Sequence, residues 1–140
     1  MTNAAEATRT LVIERVVPHA PEKVWRALTQ TPSLDDWMLK SDFQAVVGHK
    51  FNFRSEPNPH WDGVIESEVL AVEPHRELVY RWNALGLESV VTWTLTPTAE
   101  GTTLRMEHAG FAPDQTYAYE GAKAGWGRML DTLVALLPRV

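Results

Sequence analysis

The chain has 140 residues, 44% of them hydrophobic, and a formal net charge of −5; that length gives one domain able to bury a real core. It contains no cysteine, which excludes disulfides, thiolate metal sites and cysteine nucleophiles and fits a reducing cytoplasm. The acidic balance, without any run of Lys or Arg, argues against nucleic acid as a partner, and no apolar run approaches the ~20 residues of a membrane span.

The opening "MTNAAEATRT" has no apolar segment of the signal-peptide kind. Residues 1–9 are expected to be a flexible tail and residues 10–140 a single domain. "TLVIERVV" (Thr10–Val17) is rich in β-branched residues and reads as a strand. "HAPEKVWRALTQ" follows, with Pro21 suited to the first helical position and Val24, Trp25 and Leu28 on one face. Thr31 as cap and Pro32 in the first turn restart a short second helix, "PSLDDWM". From Phe43 to Met106 the pattern is that of strands. "FQAVV" and "KFNFR" flank Gly48-His49 as a hairpin turn, and "SEPNPHWDG" is a loop. "GVIESEVLAVEP", "ELVYRW", "ESVVTWTLTPT" and "TTLRMEHAG" continue an antiparallel meander, with a turn at Glu100-Gly101.

Alternation assigns the faces. Leu78, Tyr80 and Trp82 share one side, as do Val91, Trp93 and Leu95, and Leu104, Met106 and His108. These are the covered positions, while Arg81, Thr92, Thr94, Thr103, Arg105 and Glu107 face solvent. Val64–Val72 is mixed on both faces, as a bulge would make it. The last helix is expected to start near Asp114 or Thr116, either of which can cap it. Trp126, Leu130, Leu133 and Leu137 form its apolar stripe, widened by Met129 and Leu136. Traced backwards, the stripe meets only Ala122, Tyr119 and Gln115. A leucine-rich half against bulky strands makes a packed core. A small-residue half against Tyr80, Trp82 and Trp93 leaves room for a cavity between helix and sheet. Gly125 and Gly127 flank Trp126 where the halves join. They would permit close approach of neighbouring elements or flexing of the first half; tight packing without a cavity is the alternative.

Four stretches in order, "APEKVWRALT", "GVIESEVLAVEPHRELVYRW", "VVTWTLTPTAEGTTLRMEHAGF" and "AGWGRMLDTLVALL", resemble the SRPBCC superfamily, in the branch named for homologues of the activator of the heat-shock-protein-90 ATPase. The resemblance runs from about Leu11 to Leu137. It implies the α+β helix-grip (START-like) fold: a curved antiparallel sheet wrapped around a long C-terminal helix, with two short helices after the first strand. It also implies a mostly apolar cavity for lipids, polyketides or similar molecules, in relatives that include enzymes, carriers and sequestering proteins, and it suggests a link to stress response. Three departures stand out: His75 where a second proline is common, Trp37-Met38 where two aromatics often follow one another, and no additional preceding domain of the kind the eukaryotic co-chaperone carries. The last argues against a chaperone-activating role.

The candidate ligand-binding residues are Tyr80, Trp82, Trp93, Met106, His108, Tyr119, Ala122 and Trp126. The aromatic rings could stack on a flat ligand, although ordinary core is the alternative, above all for Trp93. His108 could orient a carbonyl or act as acid or base near neutral pH, or it could be a structural histidine with local hydrogen bonds. The histidines at 19, 49, 60 and 75 fall in turns and loops without metal-ligand spacing, so no metal and no cofactor is expected. Glu66 and Glu68 read as a solvated strand face. Arg54, Arg81 and Arg105 could anchor a carboxylate only if one of them pointed inward. No Ser-His-Asp set or Gly-rich phosphate loop is present, and no catalytic residue is assigned. The expected role is carriage, sensing or sequestration of a hydrophobic small molecule. The alternatives are an enzyme of cyclase, hydratase or hydrolase type using His108 and a tyrosine, and a co-chaperone-like module with a chaperone or a second copy as partner.

Overall fold

A computed structural model describes residues 8–140. Its frame is a seven-stranded antiparallel sheet in the order β1-β7-β6-β5-β4-β3-β2. The strands are β1 (Arg9–Val17), β2 (Lys40–Ser41), β3 (Lys50–Arg54), β4 (Val64–Glu73), β5 (Glu77–Ala84), β6 (Leu87–Thr98) and β7 (Gly101–Phe111). Arg9, assigned to the tail from sequence, already pairs with β7; residues 1–7 of that tail lie outside the described residues. Two short helices, α1 (Pro21–Thr29) and α2 (Thr31–Trp37), lie between the two edge strands β1 and β2. The long α3 (Thr116–Leu136) closes the chain with one 3-10 turn, Leu137–Arg139. The result is the α+β helix-grip architecture, with α3 held in the curve of the sheet.

The covered face is the one alternation assigns. Leu78, Tyr80, Val91, Trp93, Leu95, Leu104, Met106 and His108 are all buried. β4 carries the expected irregularity, a register shift between Val69 and Ala71. Glu66 is exposed and Glu68 faces Arg81 at 3.7 Å on the outer surface. On α3, Trp126, Leu130 and Leu133 are buried, as is Leu137 just beyond it. This half rests on the sheet through a chain of aromatic contacts: Trp126 lies 5.6 Å from Trp93 and 5.0 Å from Trp82, and Trp93 lies 5.8 Å from Trp37 of α2. Burial of such side chains, worth ~25 cal/mol per Å2 of apolar surface, is what fixes α3 at this end.

Four local expectations are corrected. "FQAVV" is not a strand: Phe43 turns inward against Phe51 and Tyr80, while Val46 and Val47 are exposed in a turn closed by His49 N–H donating to Val46 O. One buried aromatic followed by turn-forming backbone outweighs the β-propensity of the valines. Thr31 does not cap α2; Gln30 holds that position and makes no side-chain capping bond. Neither Asp114 nor Thr116 caps α3. Gln115 stands at the cap, and its Oε1 accepts from Ala112 N–H at 2.7 Å, which closes the preceding turn instead. The glycines of α3 do not serve close approach. A Cβ at Gly121 or Gly127 would meet nothing within 4 Å, and one at Gly125 only Arg128 Nη2 at 4.0 Å.

Candidate cleft between the sheet and the C-terminal helix

The first half of α3 carries Ala118, Gly121, Ala122 and Gly125 at helical spacing, and these small residues form one wall of a half-open cleft of about 700 Å3. Small side chains cannot reach the sheet, so space remains where the second half of the helix is packed. The opposite wall is apolar: Ile65 of β4, Trp82 and Ala84 of β5, and Leu87 of β6. Trp126 and Met129 floor the cleft at the point where the helix becomes leucine-rich. Its mouth lies between Trp61 of the β3–β4 loop, Leu85 of the β5–β6 turn and Tyr117 in the first turn of α3.

That β5–β6 turn is a two-residue connection with φ of 53° at Leu85 and 80° at Gly86, the geometry that matches the twist of a tight hairpin. Glycine adopts it freely; leucine does so at a cost of about 1–2 kcal/mol. The consequence is an apolar side chain, 70% exposed, standing at the mouth of the cleft. Tyr117 beside the same mouth is 95% exposed.

His108 lies under the floor. Its Nδ1 accepts from Trp126 Nε1–H at 2.9 Å, and its Nε2 lies 2.7 Å from Ser89 Oγ. The Ser89 hydroxyl donates to the carbonyl of Trp82, so its oxygen is free to accept, which makes His108 the Nε2–H tautomer. Both ring nitrogens are therefore engaged, and burial lowers its pKa to about 4. The imidazole is neutral near pH 7 and links β7, β6 and α3.

The candidate residues divide by depth. Trp82, His108, Ala122 and Trp126 border the cleft. Tyr80, Trp93, Met106 and Tyr119 do not. Tyr80 is buried among Phe43, Phe51 and Phe53, and its hydroxyl accepts from Trp93 Nε1–H at 2.8 Å. Burial raises the Tyr80 pKa, so it stays a neutral phenol. Met106 pairs across the ladder with Trp93 and is wholly buried. Tyr119 packs on Phe111 with the Arg9 guanidinium 3.7 Å above its ring. Sequence reasoning missed Trp61, Ile65, Leu85, Leu87, Gly121 and Arg128; only Gly121 carried a signal, as a glycine spaced four residues from Gly125. Among the described residues no three His, Asp or Glu side chains gather as a metal site would require, and no helix is long and apolar enough to cross a membrane.

The family model described as activator of Hsp90 ATPase homolog 1-like protein matches residues 18–138. The chain belongs to this family. Among solved structures, protein MLL2253 from Mesorhizobium loti is 51% identical, with a TM-score of 0.88 over 94% of this chain and 98% of that one. DynU16, a protein in the dynemicin biosynthetic locus, is 28% identical with a TM-score of 0.77, over 92% of this chain and 47% of that longer chain. CalU16 from Micromonospora echinospora shares the fold at 24% identity and a TM-score of 0.75, over 93% of this chain and 76% of that one. No curated protein matches the sequence. The space between sheet and helix thus lies within the helix-grip fold that this chain shares with those structures.

Proposed function

We propose that this family member holds a small apolar or aromatic molecule, a lipid, polyketide or similar compound, in the cleft beneath α3, as a carrier, sensor or sequestering protein. The observation that carries this reading is the cleft, about 700 Å3 with mainly apolar walls. That volume lies within the range of pockets that take drug-sized ligands, and each 100 Å2 of apolar ligand surface removed from water contributes ~2–3 kcal/mol. Carriage is favoured over catalysis because the acid–base candidate, His108, is neutral and has both nitrogens engaged. The occurrence of DynU16, 28% identical, in a biosynthetic locus is in keeping with the handling of small molecules.

The test is a titration with the neutral dye N-phenyl-1-naphthylamine, followed through the fluorescence of Trp82 and Trp126, in the wild type and in Ala122→Leu. Ala122 is only half-buried on the cleft wall, and leucine is nearly as good a helix former as alanine. Three extra heavy atoms therefore fill ligand space rather than overpack a core. Dye affinity should fall by ~10-fold or more, while the melting temperature stays within ~2 °C of wild type. An unchanged affinity, or a wild type that shows no saturable binding, would overturn the reading.

A further inference from the structure

We infer that the ligand is an amphiphile with an acidic group, a carboxylate or comparable anion, which pairs with Arg128 at the edge of the cleft while its apolar body lies against Trp82, Trp126 and the small residues of α3. This rests on the reading of the cleft as a ligand site. Of all the side chains lining the cleft, Arg128 alone carries a charge, since His108 is neutral. Arg15, Arg76, Arg81 and Arg105 each meet a carboxylate, whereas Arg128, like Arg9, Arg26, Arg54 and Arg139, has no ion-pair partner among the described residues; of these five, Arg128 is the one that lines the cleft. In a protein with a net charge of −5, an unpaired guanidinium beside this apolar cleft marks the place where an anion from outside is accommodated.

The local geometry explains how it is held there. Helical side chains lean toward the N-terminus, over the residues three and four positions earlier. For Arg128 the residue three positions back is Gly125, where an added Cβ would sit 4.0 Å from Nη2. The glycine thus leaves open the ground over which the guanidinium lies, and any side chain larger than alanine would compete for it. A carboxylate lodged deeper, among Trp82, Leu87 and Ile65, would lose its hydration without compensation. At Arg128 it finds a planar fork of N–H donors that matches its two oxygens, with water still at hand. The arrangement therefore orients the ligand, acid outward and apolar body inward.

The test compares decanoate with decan-1-ol, equal in chain length, as competitors of the neutral dye in the wild type and in Arg128→Gln. Arg128 is exposed and glutamine is a comparable helix former, so the two proteins should melt alike. Decanoate should bind the wild type about five- to tenfold more tightly than it binds the variant, as expected of a charge-assisted pair near the surface. Added salt should weaken that preference, and decan-1-ol should bind both proteins equally. If both compounds bind but Arg128→Gln leaves decanoate unaffected, the inference falls and the cleft remains a neutral apolar site. If the dye binds saturably but decanoate does not displace it, the inference falls; if the dye itself does not bind saturably, the ligand site falls and the inference with it.

Discussion

Lowering the pH should loosen the protein through His108, in a window the structure defines. The unfolded imidazole has a pKa near 6.5, and in the folded chain burial lowers it to about 4. Between those values the unfolded chain binds a proton that the native state refuses, so stability falls as the pH falls. The full difference is ~3 kcal/mol, from ~1.4 kcal/mol per pKa unit, and ~2 kcal/mol of it is lost between pH 7 and pH 5. Below about pH 4 the native histidine takes up its proton and the loss levels off. Protonation at Nδ1 would set an N–H against Trp126 Nε1–H, now 2.9 Å away, so the bond between β7 and α3 fails first. Urea unfolding of wild type and His108→Gln at pH 7 and pH 5 isolates the effect from other groups. The variant starts lower by ~1–3 kcal/mol, because the Trp126 indole loses its acceptor, but it lacks the extra slope. Equal losses of stability in both proteins over this range would show that folding does not disfavour the charged histidine, and the argument that burial keeps His108 neutral would fail.

Two further substitutions separate packing from binding. Gly127→Ala should stabilise the fold by ~0.5–1 kcal/mol, because the new methyl meets open space and the helix gains propensity; a lowered melting temperature would mean a contact the backbone geometry does not show. Tyr80→Phe should destabilise by ~1–3 kcal/mol, since Trp93 Nε1–H loses its buried acceptor, while dye binding in the cleft stays unchanged; a loss of binding would return Tyr80 to the site.

Alternation along the strands and the leucine stripe of α3 were legible because burial imposes their periods directly. What the sequence does not state is depth along the sheet. Leu78, Trp93 and Met106 form one row across three strands, and Tyr80, Val91 and His108 form the next. Trp82 opposite Ser89 forms the row beyond. All three rows face inward, but only His108 of the second and Trp82 of the third border the cleft. Trp93 and Met106 share their period with Trp82 and not their position, so a reading by face alone merged core and site. Trp61, Leu85 and Leu87 were missed for a related reason. They reach the cleft through a loop and a hairpin tip whose places are set by strand register, which no single segment contains.

The glycines of α3 show how the two halves of one helix divide the work. Its second half and the turn that follows are bound to the sheet by Leu130, Leu133 and Leu137, all at or below 1% exposure. Anchorage there frees the first half from packing duties, and it carries Ala118, Gly121, Ala122 and Gly125 instead. Each glycine in a helix costs about 1 kcal/mol relative to alanine. Close approach cannot be the return, since no neighbour lies within 4 Å of a Cβ at Gly121 or Gly127. At Gly121 and Gly125 the return is space: these positions face the cleft, and any side chain there would narrow it. Gly127 does not border the cleft, and nothing in the structure explains it. The helix is therefore weakened at 121 and 125 for the sake of volume rather than motion. It follows that alanine at those two positions, unlike at 127, should exchange some binding capacity for stability.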